Sequence, residues 1–270
     1  MKQSLDDIAE LAESLGKNNL IKGRVNLRKI ARSKGIAIIY GHYGDYFLGE
    51  LVHCSNRFYI HLNLDRLNDK DSARTRFTIA HELGHYFIDK HRIKLSNGIS
   101  LSFGGKFLTP EEKQIEKQAN HFASHLLMPK SKFIQTAKKY ELGMAGILKL
   151  KEKFETSMEC TTLHYISLDF APMIMLKWRS DYSFQYPSYT KSFSELTGIK
   201  GSPSIKFNSE HIQLQAPINY GQNIDFSETV SPISRWISTV LPESEKDIIG
   251  LEQTIKLGEF GGITILSFFK

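Results

Sequence analysis

Cysteine is almost absent: the 270 residues hold 2, Cys54 and Cys160, far apart and in no CxxC pair. A disulfide framework and a cysteine metal knuckle are both excluded, and the two thiols read as packing residues in a reducing compartment. Long apolar runs are missing as well. The longest, around Ile36 to Tyr40 and Ile263 to Phe269, fall far short of the roughly 18 residues a membrane helix needs and read as strands. The amino-terminal stretch MKQSLDDIAELAESLGKNN carries four acids in its first thirteen residues and no apolar h-region. It reads as neither signal nor transit peptide, so a cytoplasmic protein with no membrane partner is expected. What remains is 41% hydrophobic and 24% charged, an ordinary globular composition that excludes disorder and collagen-like repeats.

The formal charge of +6 divides unevenly. Residues 1–170 carry +7 and residues 171–270 carry −1, so the chain changes character near residue 170. A modest positive balance spread over so long a stretch describes a solvated surface better than a nucleic-acid footprint.

Apolar residues at 5, 8, 11, 12 and 15 predict an amphipathic helix, and Asn26 to Ser33 predicts a second, ending at Gly35. IAIIY, FLGELV and FYIHLNL read as three strands, the middle one broken by Gly49. A helical pattern returns from Asp71, capped by that residue or by Ser72. Leu95 to Leu108 reads as a loop. Thr109-Pro110-Glu111-Glu112 is a capping-box start for a long helix that runs to Pro129, with Ile115, Ala119, Phe122 and Leu126 as its buried stripe. Gly143 to Ile166 reads as helix, turn, helix. Beyond Phe170 the runs MIMLKW, HIQLQAP, TIKLG and GITILSF are strand-like, with one helix expected near Ser231 to Val240.

The expected fold class is α+β. It comprises a zincin-like domain over 1–135 (small sheet, HExxH helix, second ligand helix), a helix-turn-helix-like segment over 136–170, and an α/β module over 171–270.

The chemistry concentrates at His81-Glu82-Leu83-Gly84-His85. Two imidazoles at i and i+4 share one helix face and can hold one zinc ion, with Glu82 beside them as a base. With the 10 histidines of this chain, such a motif arises by chance only about 0.02 times per sequence. A third ligand is needed, leaving one position for water. His91 stands six residues after His85, but Ile88 occupies the place where a sharp turn calls for glycine, and a continued helix would aim His91 about 240° away. Glu116, in the middle of the second helix, is preferred. Asn120, one turn on, is placed to hydrogen-bond a ligand imidazole. His121 and His125 lie about 140° and 180° from Glu116 around their helix and cannot share its ion; they read chiefly as packing or hydrogen-bonding residues. Tyr86, His121 and His125 remain candidates for stabilising an oxyanion or touching substrate.

The stretch Arg76-Phe77-Thr78-Ile79-Ala80-His81-Glu82-Leu83-Gly84-His85, followed by Glu116-Lys117-Gln118-Ala119-Asn120 and Leu126-Leu127-Met128-Pro129, resembles the ImmA/IrrE family of zinc metallopeptidases. The likeness covers about residues 20–170 and thins beyond. The resemblance implies zinc on His81, His85 and Glu116, Glu82 as the base, and a protein substrate: a helix-turn-helix repressor cleaved to relieve transcription under stress or mobile-element induction. In the radiation-response members the carboxyl end carries a GAF-like sensor; no motif of one is legible in residues 171–270.

Two rivals belong to other classes, a DNA-binding regulator using residues 143–166 and an adaptor that holds a repressor without cutting it. Residues 131–170 balance to only +1, whereas a recognition helix facing phosphates is distinctly basic. Direct nucleic-acid binding is therefore disfavoured.

Overall fold

The computed structural model describes residues 3–67, 69–101, 108–181, 183–199, 226–236 and 248–268. The chain forms two compact units, one of residues 1–138 with 150–157 and the other of 139–149 with 158–270. The helical stretch 136–170 is thus shared between them. The fold is mixed, with ten helices and three sheets among the described residues. No described helix is long and apolar enough to cross a membrane.

In the first unit, the amino-terminal apolar spacing forms α1 (Leu5–Asn18), whose first turn is closed by a reciprocal capping box between Ser4 and Asp7. A minimal hairpin, β1 (Leu20–Ile21) with β2 (Arg24–Val25), leads to α2 (Leu27–Ser33). Then come β3 (Ala37–Gly41), β4 (Gly49–Cys54), β5 (Arg57–Asn63) and the short α3 (Leu64–Leu67). The sheet order is β3-β5-β4, with β3 parallel and β4 antiparallel to β5, so β4 is an edge strand among the described residues. Gly49 does not break this strand but begins it. A Cβ at that position would lie 2.3 Å from Cγ2 of Thr78, so glycine lets the strand lie against the next long helix. Cys54, expected to pack, is exposed at the strand's far end.

That helix is α4 (Ala73–Phe87), capped by the Ser72 hydroxyl accepting from Thr75 N–H. It is followed by α5 (Asp89–Ser96), α6 (Pro110–Leu127) and α7 (Lys130–Ala137). The capping box expected at Thr109 and Glu112 opens α6, with Pro110 in its first turn. Ile8, Ala12, Ile60, Leu62, Leu83 and Phe122 are fully buried and join α1, β5, α4 and α6 in one core. The two long helices α4 and α6 touch at Gly84, where a Cβ would lie 3.2 Å from both the Ala119 carbonyl oxygen and a Phe122 ring carbon. Gly84→Val is expected to force them apart and to cost about 1–3 kcal/mol. Urea unfolding checks this: an unchanged midpoint would show that the contact has slack.

One expectation is corrected here. Ile88 does not carry the helix onward. Its backbone is extended (φ −79, ψ 110), the conformation β-branched residues favour, and its side chain is buried. Arg92 then donates to the orphaned Tyr86 carbonyl at 3.0 Å, and α5 starts in a new direction. His91 consequently folds back toward α4 instead of facing away.

In the second unit the described elements are α9 (Met158–Ser167), β6 (Met173–Trp178), β7 (Phe184–Tyr189), α10 (Lys191–Thr197), β8 (Ser227–Pro232), β9 (Ile249–Lys256) and β10 (Gly262–Ser267). α8 (Met144–Phe154) runs across the division of the chain. The sheet order is β7-β6-β10-β9-β8, and every pairing is antiparallel, so the module expected to be α/β is built on an antiparallel sheet. β6 and β10 are buried at every position, which is why both read as largely apolar runs despite Lys177 and Thr264. Trp178, Phe193, Trp236 and Phe268 anchor the core, and the Trp178 indole N–H donates to Thr264 Oγ1 at 2.9 Å. The helix expected at 231–240 is instead the end of β8 and a 3-10 turn at Ile233–Arg235. Pro232 disfavours helical backbone at Ser231 and cannot itself sit inside a helix. Residues 237–240 and the run HIQLQAP at 211–217 lie outside the described residues.

Candidate metal centre

The helix α4 presents His81 and His85 on one face, and α6 brings Glu116 to meet them. His81 Nε2 and His85 Nε2 are 3.1 Å apart. Glu116 reaches both, with Oε2 3.4 Å from His81 Nε2 and Oε1 3.6 Å from His85 Nε2. One ligand atom from each residue lies within 4.8 Å of the other two. His81, His85 and Glu116 are the only group of three such side chains among the described residues.

The opposite ring edges are engaged too. His81 Nδ1 lies 2.9 Å from Asn120 Oδ1, the contact expected of that amide. An oxygen only accepts, so Nδ1 carries the proton and Nε2 is left bare. Burial, reinforced by the neighbouring His85, pushes the His81 pKa down to about 4 against the pull of Glu116 and Asn120. Burial alone brings His85 down to about 4. Both rings are therefore neutral near pH 7 and available as ligands. Glu116 is shifted upward by burial, partly offset by His81 and His91. Two neutral imidazole nitrogens and a carboxylate converging on one point match the donor set of a divalent zinc site with an open position.

Glu82 sits beside this cluster, 5% exposed, and accepts a hydrogen bond from the Leu51 N–H of β4. Burial first, then the Glu116 charge, push its pKa up to about 8. The four side chains line a cleft of about 450 Å³, which also exposes Leu48 to Leu51 and Arg66. A Cβ on Gly49 would stand 3.3 Å from Glu82 Oε1, so the glycine keeps the base clear of the strand.

Other candidates lie elsewhere. Tyr86 packs edge-on against Phe58 and Phe87 and beneath Arg92. His121 Nε2 is 3.1 Å from the Leu5 carbonyl oxygen, and His125 Nδ1 is 3.0 Å from Glu13 Oε1. Both histidines thus fasten α6 to α1. None of the three lines the cleft, because each leaves its helix on a face turned to packing neighbours. His91 is not in the ligand cluster; it stands behind His85. Arg66, whose guanidinium donates to the Asp45 carbonyl oxygen at 3.2 Å, is a cationic donor at the cleft wall that sequence reading overlooked. No motif marks it, since β5 and α3 place it there.

Comparison with known proteins bears on the same region. Residues 55–163 match the peptidase M78 family model, described as the IrrE N-terminal-like domain. No curated protein matches the chain. Among solved structures, one described as a Mycobacterium tuberculosis transcriptional regulator shares the fold, with a TM-score of 0.58 and 14% sequence identity over 97% of this chain and 76% of that one. The HELGH helix, the Glu116 helix and α8 all fall inside the matched stretch, which supports membership of the ImmA/IrrE family for this part of the chain.

Proposed function

We propose that this protein is a zinc-dependent endopeptidase of the cytoplasm that hydrolyses a peptide bond in a helix-turn-helix transcriptional repressor, relieving repression. The observation that carries the reading is the convergence of His81, His85 and Glu116 on one point, beside a buried Glu82 and along an open strand edge. The family match supports a peptidase, and the structural neighbour described as a transcriptional regulator is consistent with a regulatory setting.

His81, His85 and Glu116 would hold the ion. Zinc, when bound, supplies Lewis acidity toward a carbonyl and toward water. The remaining work falls to the chain. Glu82 takes a proton at its carboxylate from the attacking water and returns it to the departing amine. Among the described residues β4 is an edge strand paired with β5 alone; its backbone can pair with an extended peptide laid along the cleft. Asn120 holds His81 in the tautomer that faces the ligand point, and Arg66 offers positive charge to a developing oxyanion.

The test is to incubate the protein with a helix-turn-helix repressor encoded next to it, with zinc and with a chelator. Repressor fragments that disappear with chelator are the expected result. An intact, stable complex in both conditions would replace the enzyme with an adaptor. Duplex binding with a steep salt dependence would favour a DNA-binding regulator.

A further inference from the structure

His91 is 1% exposed and lines neither the ligand cluster nor the cleft, yet both its ring nitrogens are committed. Its Nε2 lies 3.1 Å from Gln118 Oε1 and its Nδ1 lies 3.2 Å from His85 Nδ1. An amide oxygen only accepts, so His91 Nε2 carries a proton and donates it. A neutral imidazole protonated at Nε2 has a bare Nδ1, which accepts. The hydrogen between the two facing Nδ1 atoms therefore belongs to His85. His85 in turn has its proton on Nδ1 and a bare Nε2, the nitrogen that faces His81 Nε2 and the Glu116 carboxylate.

We propose that His91, backed by Gln118, is a positioning residue that fixes the tautomer and ring plane of His85. The proposal rests on the metal-centre reading above. It assigns to His85 a support parallel to the one Asn120 gives His81, but relayed through a second imidazole. Two features of the fold make the relay. The extended Ile88 turns α5 so that His91 returns to His85, and α6 supplies Gln118 two positions from the ligand Glu116. One helix thus provides both a ligand and the terminal acceptor, so the relay also registers α6 against α4.

The test uses His91→Leu and His91→Asn, together with Gln118→Leu. Zinc affinity is measured by competition with a chromophoric chelator, and imidazole ¹⁵N spectra are recorded on the metal-free protein. His91→Leu should weaken zinc binding roughly 10- to 100-fold, and His91→Asn, which keeps an acceptor near the Nδ1 position, should stay within roughly threefold of the parent. In the metal-free spectra, His85 should be the Nδ1–H tautomer in the parent and a mixture in His91→Leu. Unchanged affinity and an unchanged tautomer in His91→Leu would overturn the proposal. Should that variant fail to fold, Gln118→Leu decides, because Gln118 is only half-buried; it must shift both readouts in the same direction. A parent that binds no zinc sinks the metal-centre reading, while the tautomer spectrum still decides the relay.

Discussion

Replacing Glu82 with glutamine is expected to reduce peptide hydrolysis by roughly 100- to 10,000-fold, the range general-base groups contribute, with one zinc still bound. Glu82 is buried at the cleft but lies outside the three-residue ligand cluster, so losing its charge removes a proton acceptor and no ligand. The same substitution carries a second signature in metal-free protein. In the folded state burial pushes the pKa of Glu82 up to about 8, from an ordinary value of 4.5. Between those two values the folded state retains a proton that the unfolded chain has released, so this group makes stability fall as pH rises from about 4.5 to about 8. Glutamine removes that dependence. Glu82→Gln should then exceed the parent in stability by on the order of 3 kcal/mol at pH 7, with no difference below about pH 4. His81 and His85, held down to about 4, contribute the opposite slope between about 4 and 6.5, but parent and variant share it and it cancels in the difference. Denaturant unfolding in the presence of chelator measures the gap. A gap that does not vary with pH, or a variant that still cuts at the parent rate, would remove Glu82 from the mechanism.

Substituting alanine for Glu116 should act on the metal. Structural zinc sites bind with an apparent free energy of about 10–16 kcal/mol, so losing one of three protein ligands should weaken binding by roughly two to three orders of magnitude. Metal analysis after dialysis should return one zinc per chain for the parent and for Glu82→Gln, and a clearly substoichiometric amount for Glu116→Ala. The pair of variants separates ligand from base: one loses the ion and, with it, activity, while the other loses only activity. Full zinc occupancy at parental affinity in Glu116→Ala would mean that the third ligand lies elsewhere.

The centre was unusually legible because it depends on short-range rules. An i, i+4 spacing fixes two side chains on one face, a capping box fixes where α6 starts, and Pro129 follows its end, so the phase of Glu116 and Asn120 around that helix followed from sequence alone. Reading failed where tertiary packing overrode a local pattern. Ile88 looked like a helix continuer, but its backbone is extended and its side chain buried, and this one residue decides whether His91 turns away from His85 or toward it. His121 and His125, by contrast, read chiefly as packing or hydrogen-bonding residues, and both bond to α1. In the carboxy-terminal unit the strands β6, β9 and β10 were readable from their apolar runs. Their antiparallel order was not, because pairing across long connections leaves no periodic trace in the chain. The 3-10 turn after Pro232 was hidden by an apolar spacing that also suits a helix.

The clasp of α1 on α6 has a practical consequence. Ile8, Ala12 and Gly16 of α1 are buried, and a Cβ on Gly16 would lie 2.6 Å from the Leu126 carbonyl oxygen. The helix that carries Glu116 is thus braced from behind by residues Leu5–Asn18. Trimming those residues, or crowding them with a fused tag, should loosen the far side of the ligand helix, so a preparation altered there could read as a weak metal binder with every coordinating side chain intact.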